Sequence, residues 1–559
     1  MRARDILASH GELLAGAEGG VQCLRDLVID FGMQGLLVEQ DSSDAPAEAS
    51  LCAAREAAPA RDKSWKLIEP ALDSKDRNDR LPTGWALASI NDCGRFINGI
   101  GFKKAEWKSD GLPIIRIQNL TDESKPFNYA QGDYPEDHLV EDGDLLVSWS
   151  ASLDAFVWRR GPAVVNQHIF KVVPFRELVE PRFLYWLLRR TIRQMVRGEH
   201  MRGMGMKHIK RGPFLSHAVA IPPLREQARI VSKVDELMAL CDELEEKQQH
   251  RHTVRRRFQT SALDALANAE SADELAESWE RVRDNWEALT EHSDSAESLR
   301  RTLAELAVRG RLVPQEASEQ SANELFPLIE SERNALLAEG AIRKPRAHKP
   351  HPSDPRFQAP AGWAWTTLGA LSFLITDGAH HTPTYTSEGV PFISIKDISG
   401  GHLDFSDCKF ISEEQHKELR RRCEPKRGDL LFCRIGTLGR PVVVKTDRRF
   451  SVFVSVGLIR VAADHVSPDY LALVLNSPFL YAQYEEVKAG GSHANKLNLG
   501  SMPGLHIPLP PRPEQDRIVA RFNELRGVCD ELEQRISDQQ KRASRFAESV
   551  VHSLTSSTR

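Results

Sequence analysis

The sequence lacks every short signature from which catalysis is usually read. It has no GxxxxGK[ST] phosphate loop, no Asn/Asp-Pro-Pro-aromatic tetrapeptide of the adenine methyltransferase kind, and no GxSxG or HExxH string. The Gly-x-Gly of GMGMKHIKRG (203–212) does not open a helix after a strand, so it is no phosphate cradle. The eight cysteines form no CxxC pair and no Cys/His cluster with metal-ligand spacing. They read as free thiols of a reducing compartment, with no metal held. Cys93, Cys408, Cys423 and Cys433 have no neighbouring His to activate them. No apolar run is long enough to span a bilayer, and MRARDILASHGELLAG has no secretory core, so a soluble cytoplasmic chain is expected. A net charge of −5 excludes a generally basic surface; any face that meets a polyanion must be local. The 559 residues suggest roughly three to four domain-sized units.

What the chain does have is a repeat. IPPLREQARIVSKVDELMALCDELEEKQ (221–248) returns as LPPRPEQDRIVARFNELRGVCDELEQRI (509–536), with Pro222, Pro223, Glu226, Gln227, Arg229, Ile230, Val231, Leu237 and Cys241–Glu245 recurring 288 positions later. A Pro pair sits well ahead of a helix start, and Glu226 and Glu514 then fall in the first turn, where the helix dipole favours negative charge. Apolar residues follow at Ile230, Val234, Leu237, Cys241 and Leu244, and at Ile518, Phe522, Leu525, Cys529 and Leu532. This 4-3-4-3 spacing is a coiled-coil seam, and the nearest candidate partner for each copy is the other copy.

The rest of the chain repeats around these helices. LPTGW (81–85) is answered by APAGW (359–363), DGLPIIRIQNL (110–120) by EGVPFISIKDI (388–398), EDGDLLVSW (141–149) by KRGDLLFCR (426–434), and PRFLYWLL (181–188) by PDYLALVL (468–475). Gly35–Gln40 also matches Gly310–Gln315, so the segment before the first mixed region repeats the segment after the first long helix. The arrangement is cyclic. We expect an N-terminal helical segment (1–40), a linker (41–80), a mixed region (81–222), a central helical region (223–315), a second linker (316–358), a second mixed region (359–508) and a terminal helix (509–559). The fold class is α+β: two mixed α/β globular regions separated by two long helices in an antiparallel coiled coil, with pseudo-twofold internal symmetry. A seam of 25–30 residues would hold the globular regions about 40 Å apart at ~1.5 Å per residue.

Basic residues cluster inside the globular regions. Residues 182–211 hold nine Lys/Arg against the single acid Glu199, and 417–449 hold eleven against four, with Arg420, Arg421, Arg422 and Lys426 prominent. A solvated helix face is the plain alternative, but clusters in both halves point to phosphate contact. The cations expected there are Arg189, Arg190, Arg193, Arg202, Lys207, Lys210, Arg421, Arg427, Arg434, Arg440 and Lys496. Asn119, Ser150, Ser152, Asn166 and Gln167 in the first region, with Asp377, His380, His381 and Lys396 in the second, are loop residues of the kind that read base edges.

These strings together resemble the specificity subunits of type I restriction–modification enzymes. The resemblance runs from about residue 5 to 550 and is carried most clearly by SWSASLDAFVWRRGPAVVNQHIFKV (148–172), IPPLREQARIV (221–231), LAVRGRLVPQ (306–315), ITDGAHHTPTYTSEGVPFISIKDI (375–398), CEPKRGDLLFCRIGTLGR (423–440) and IPLPPRPEQDRIV (507–519). It implies that the mixed regions are target-recognition domains, each reading half of a split sequence in double-stranded DNA. The helices would set the spacer and dock two methyltransferase subunits. S-adenosylmethionine, ATP and Mg²⁺ would belong to those subunits and to ATP-dependent restriction subunits, and this chain would bind none of them. Two departures stand out: Leu224-Arg225 and Arg512-Pro513 replace the family's usual Leu-Ala, and residues 1–80 are unusually Ala-rich.

Overall fold

The computed structural model describes residues 19–63, 65–71, 81–197, 208–292, 294–344, 348–351, 357–488 and 495–557. Among these, one compact unit takes the residues up to Arg251 and those from Gln539 onward; the other takes His252–Asp538. Both boundaries fall inside long helices. The first long helix therefore leaves unit 1 for unit 2, and the second makes the reverse passage. No described helix is long and apolar enough to cross a membrane.

Among the described residues, unit 1 opens with α1 (Gly20–Gly32) and α2 (Ala47–Arg61). The described residues of its mixed region form ten short strands: β1 (Ala86–Ser89), β2 (Gly94–Asn98), β3 (Leu112–Ile115), β4 (Asn128–Ala130), β5 (Leu139–Val140), β6 (Leu145–Ser148), β7 (Asp154–Val157), β8 (Ala163–Val165), β9 (Ile169–Pro174) and β10 (Ala218–Ile221). β1 and β10 pair antiparallel, Ala86 opposite Ile221, so the two ends of the region close on each other. Between them lie two four-stranded sheets, ordered β2-β9-β6-β7 and β4-β3-β8-β5, in which only β3 and β8 run parallel. The strands follow buried runs of β-branched and large apolar residues such as Ile114-Ile115, Leu145–Val147 and Val164-Val165. α3 (Pro181–Arg197) and the long α4 (Leu224–Asn268) complete the series.

Unit 2 repeats the plan after α5 (Ser295–Val308) and α6 (Leu325–Ala338). Its strands are β11 (Ala364–Thr367), β12 (Ser372–Asp377), β13 (Val390–Ile393), β14 (Lys409–Ile411), β15 (Leu430–Cys433), β16 (Gly439–Val443), β17 (Ser451–Val452), β18 (Val456–Val461) and β19 (His506–Leu509). β11 closes on β19, the sheets are β12-β18-β15-β16 and β14-β13-β17, and β13 and β17 form the matching parallel pair. The helix answering α3 is split into α7 (Pro468–Leu475) and α8 (Pro478–Val487), because Ser477 caps the Leu480 amide and Pro478 occupies the first turn. α9 (Arg512–Ser557) is the second long helix.

Two apolar runs are each broken into separate elements. The run AVVNQHIFKVV is two strands, β8 and β9, hinged at residues 166–168. LPIIRIQNL is extended only to Ile115 and continues as a helical turn, Ile117–Thr121. The segment 41–80, expected as a linker, contains α2. Its Ala47, Leu51, Ala54 and Ala58 form a helical stripe buried in the unit 1 core, and Arg55 bonds Asp92 at 2.9 Å.

In each unit the three duplicated motifs meet at one joint. Trp85 Nε1 donates to Glu226 Oε1 at 3.1 Å, and Trp363 Nε1 donates to Glu514 Oε1 at 3.0 Å. Gly35 and Gly310, at φ 72° and 68°, turn the chain just beyond α1 and α5. A Cβ on either would lie within 2.9 or 2.8 Å of the same Trp ring. Gln227 accepts from the Glu180 amide and donates to the Leu178 and Pro222 carbonyls, each at 2.8 Å. Gln515 repeats this with the Ser467 amide (2.7 Å) and the Pro510 carbonyl (3.0 Å). The duplicated Glu-Gln pair thus latches a long helix to its globular region.

Burial pushes the Glu226 and Glu514 carboxyls above the ordinary range, against the opposing hydrogen bonds of Trp85 and of Gln315 and Trp363. A folded value above the unfolded one contributes stability that is complete below the unfolded pKa and is lost as pH rises through the folded pKa. Glu226→Gln with Glu514→Gln keeps an acceptor for each indole and removes the charge. The double variant is expected to melt at or above the wild-type temperature at pH 7 and to lose the wild type's gain on acidification toward pH 5. A lower melting temperature at pH 7 in thermal denaturation would show that the ionised form is the one the joint needs.

α4 and α9 have 45 and 46 residues, about 68 Å each at ~1.5 Å per residue. Their expected seam is divided among partners. Ile230 and Val234 lie in the unit 1 core, where the Cα side of Gly32 on α1 faces them; a Cβ there would stand 3.0 Å from Val234 and 3.4 Å from Ile230. Leu237 packs at the edge of that core. Ile518 joins Ala307 and Val308 of α5 in the unit 2 core, with Phe522 beside them. Matching ion pairs bind each short helix to its long one: Arg25 to Asp242 and Glu245 (2.6 Å each), and Arg300 to Asp530 (2.6 Å) and Glu533. The first turns of each long helix are therefore covered by the short helix of the same unit. A 4-3 stripe specifies a partner's shape but not its identity, and the cyclic repeat supplies a nearer one. Farther on, Cys529 and Leu532 share a cluster with Ala262, Leu263 and Leu266 of α4 and with Leu299, Leu303 and Leu306 of α5. There the two long helices join one apolar cluster with a third helix. Cys241 is buried, while Leu244 and Leu525 are half-buried.

Candidate nucleic-acid interface

At one edge of the β2-β9-β6-β7 sheet four connections converge. The Ile100 amide donates to the Val165 carbonyl (2.8 Å) and the Gln167 amide to the Ile100 carbonyl (2.9 Å). The Ile209 amide donates to the Trp149 carbonyl (3.0 Å), and Ser150 bridges His208. This brings together residues 98–101, 149–152, 166–168 and 208–211. Unit 2 repeats the arrangement residue for residue. The Ala379 amide meets the Val452 carbonyl (2.9 Å), the Leu497 amide meets the Arg434 carbonyl (2.9 Å), and Ile435 bridges Lys496.

The backbones approach so closely that only glycine fits. A Cβ at Gly99 would lie 2.2 Å from the Asn166 carbonyl oxygen, and one at Gly378 would lie 1.9 Å from that of Val452. These are equivalent positions in loops that otherwise share almost no sequence (97–110 and 376–388). The frame is common and the side chains on it are not.

In unit 1 the edge carries rings and hydroxyls. Trp149 lies 5.0 Å from His168 between ring centroids, Ser150 Oγ is 3.0 Å from His208 Nδ1, and Arg211 sits 5.4 Å over Phe170. Trp149 Nε1 and His168 Nδ1 are buried with no hydrogen-bond partner among the described residues. Gln167 and Ser152 are exposed beside them, and Asn166 is half-buried. In unit 2 the edge is charged. Asp377 is buried and gripped by Arg434, Arg422 and His380. Burial would raise its pKa, but the hydrogen bonds from Arg422 and His380 and the charge of Arg434 outweigh that and hold it below the ordinary value.

A family model described as the type I restriction modification DNA specificity domain matches residues 82–251 and 379–542, which take in the first edge and the second from Ala379 onward. The chain belongs to this family. The specificity subunit of the type I restriction enzyme EcoAI of Escherichia coli is 26% identical, covering 92% of this chain and 90% of that one. That of EcoEI, also from Escherichia coli, is 25% identical over 95% and 93%. A chain solved in work on complex assembly and conformational transition of the type I R-M system is 18% identical, covers 85% of this chain and 99% of its own, and has a TM-score of 0.46. The protein is thus a specificity subunit of a type I restriction–modification system with two repeated specificity domains; such subunits are the non-catalytic members of their systems.

Within these specificity domains the sequence-derived candidates separate into groups. Several cations are neutralised inside the chain. Arg189 donates to Asp154 at 3.1 and 3.0 Å, Arg190 to Asp30 at 3.1 Å, and Arg193 to Asp26 (2.6 Å) and Asp30 (3.0 Å). Arg190 and Arg193 thereby clamp α3 to α1, and Arg189 ties it to β7. Arg434 is buried on Asp377, Arg427 pairs with Asp447, and Lys396 pairs with Asp407. Lys210, Arg421, Arg440 and Lys496 are exposed, Lys496 on the edge itself. Arg202 and Lys207 lie outside the described residues.

Among the base-reading candidates, Asn119 is buried. It accepts from the Arg116 amide and donates to the Lys125 and Pro126 carbonyls, so it holds its own loop together. Ser150 is likewise buried against His208, while His380 and His381 are exposed. Sequence reasoning passed over Trp149, His168 and His208, and it named Arg422 only as part of a basic run. The 288-residue offset that pairs His208 with Lys496 was the available signal for one of them.

Proposed function

We propose that each loop edge reads one half of a bipartite, asymmetric sequence in double-stranded DNA. The long helices set the gap and dock two methyltransferase subunits, with ATP-dependent restriction subunits completing the complex. S-adenosylmethionine, ATP and Mg²⁺ serve those partners. Exposed Lys210, Arg421, Arg440 and Lys496 are assigned to phosphates, and Ser152, Gln167, His380 and His381 to base edges. We further assign the segments 81–222 and 359–508 as the target-recognition domains, and the cytoplasm as the place of work. The observation that carries the reading is the pair of equivalent edges, closed by the same glycine and bearing unlike side chains. Two identical edges would read a palindrome; two unlike ones read two different half-sites.

Mapping methylated adenines in a genome exposed to the complex is expected to yield two dissimilar half-sites. A seam of about 40 Å spans roughly 12 base pairs at ~3.4 Å each, and with the inner part of each half-site lying inside that span the uncontacted gap should be roughly 5–8 base pairs. A continuous or palindromic motif would defeat the proposal. So would methyl transfer from labelled S-adenosylmethionine by the isolated chain.

A further inference from the structure

On the reading just given, we propose that Arg422 is the side chain through which the second recognition domain reads a guanine. Asp377, with a side chain only 1% exposed, is braced from within by Arg434, itself 8% exposed and fixed by the Leu497 (3.2 Å) and Val454 (3.1 Å) carbonyls. On its other side the same carboxylate holds Arg422, whose side chain is 53% exposed. Arg422 spends Nε on the Asp377 carbonyl (3.3 Å) and one Nη2 proton on Asp377 Oδ1. His380 Nε2 lies 3.0 Å from Nη2 but gives its own proton to Asp377, so it does not take the second Nη2 proton. Its Nη1 makes no hydrogen bond among the described residues. The planar group is thus locked along one edge and presents its tip to solvent in a fixed plane.

That geometry selects among partners. Guanine offers two acceptors, O6 and N7, in the major groove, and a fixed guanidinium fork matches both at once. Adenine replaces one acceptor with a donor, and a phosphate needs no such orientation. Exposed cations without a brace, such as Arg421 and Lys496, suit phosphates; a braced one suits a base edge.

The network is also private to this domain. By the offsets that align the two edges, Asn98 stands where Asp377 does, Gly101 where His380 does and Trp149 where Arg434 does. Asp137 stands in place of Arg422 and pairs with Arg95 at 2.6 Å. A feature that differs between two otherwise equivalent readers is where a difference in the sequence read must come from.

The test uses the assembled complex with its modification partner and maps methylated sites for the wild type, Arg422→Gln and Arg422→Lys. The wild type is expected to demand a guanine at one position of the second half-site. Arg422→Gln is expected to relax that position, or turn it to adenine, by about 10–100-fold while leaving the first half-site unaltered. Arg422→Lys, which keeps the charge but not the fork, is expected to relax it too, and it decides the matter should the Gln variant fail to fold by thermal melting. An unchanged guanine requirement in a folded variant overturns the assignment, as does a uniform loss of modification without change of motif. If the wild type itself shows no two-part motif, the proposed function falls along with it, and that outcome is distinct from a two-part motif that ignores Arg422.

Discussion

Gly378→Ala is expected to unfold the loop edge of the second recognition domain and to abolish modification by the complex. The added methyl would stand 1.9 Å from the Val452 carbonyl oxygen, 2.3 Å from its carbon and 2.6 Å from the Phe453 carbonyl oxygen. All three are backbone atoms, so no rotamer change relieves the clash. The Val452 carbonyl is also the acceptor for the Ala379 amide, so moving it opens the bridge that joins the two loops. Overpacking in a closed site costs 1–3 kcal/mol and sometimes more; against backbone on every side we expect about 3 kcal/mol or more. Gly527→Ala is the matched control. It lies within α9 with open space around it, so the same methyl should raise stability by about 0.5–1 kcal/mol through helix propensity. Urea midpoints for the two variants should move in opposite directions. A Gly378→Ala midpoint at the wild-type value would mean that the two loops are not in contact.

Asp377→Ala is expected to cost about 3–5 kcal/mol, the range for breaking a buried ion pair from one side. Arg434 would keep only two carbonyl partners for a charge sealed from water. Removing both charges with Asp377→Ala and Arg434→Met should recover much of the loss, because the stranded ion is the main penalty. The pH dependence follows from the same carboxylate. Its folded pKa is held below the ordinary 3.8, so its contribution is present in full above that value and lost as pH falls through the lowered one. The wild type should therefore show an acid limb in its melting temperature below about pH 4 that is shallower in the double variant. Equal acid limbs would show that Asp377 is not ionised in the fold.

Much of the architecture was legible because the chain states it twice. The long helices, the paired mixed regions and the cyclic order followed from offsets of 275 to 288 residues between copies. What the copies could not state was which surfaces touch. The stripe of Ile230 and Val234 announces an apolar partner without naming α1. Arg190 and Arg193 look like a free basic helix until Asp26 and Asp30, about 160 residues earlier, are folded against them. Arg421 and Arg422 are neighbours of the same type, and only the depth of Asp377 distinguishes the braced guanidinium from the loose one. The lone glycine shared by loops 97–110 and 376–388 was visible, but its meaning lay in a carbonyl more than 60 residues away.

The arginines folded onto carboxylates of the same chain bear on how the subunit would respond to ionic strength. A cation already matched by Asp26, Asp30, Asp154 or Asp377 displaces no condensed counterion when a polyanion docks. Only unmatched cations contribute, each steepening the logarithmic dependence of binding on salt by about 0.9. Titrating sodium chloride would therefore count phosphate contacts well below the number of lysines and arginines in the two basic stretches, and would give the net positive face of the subunit its effective size.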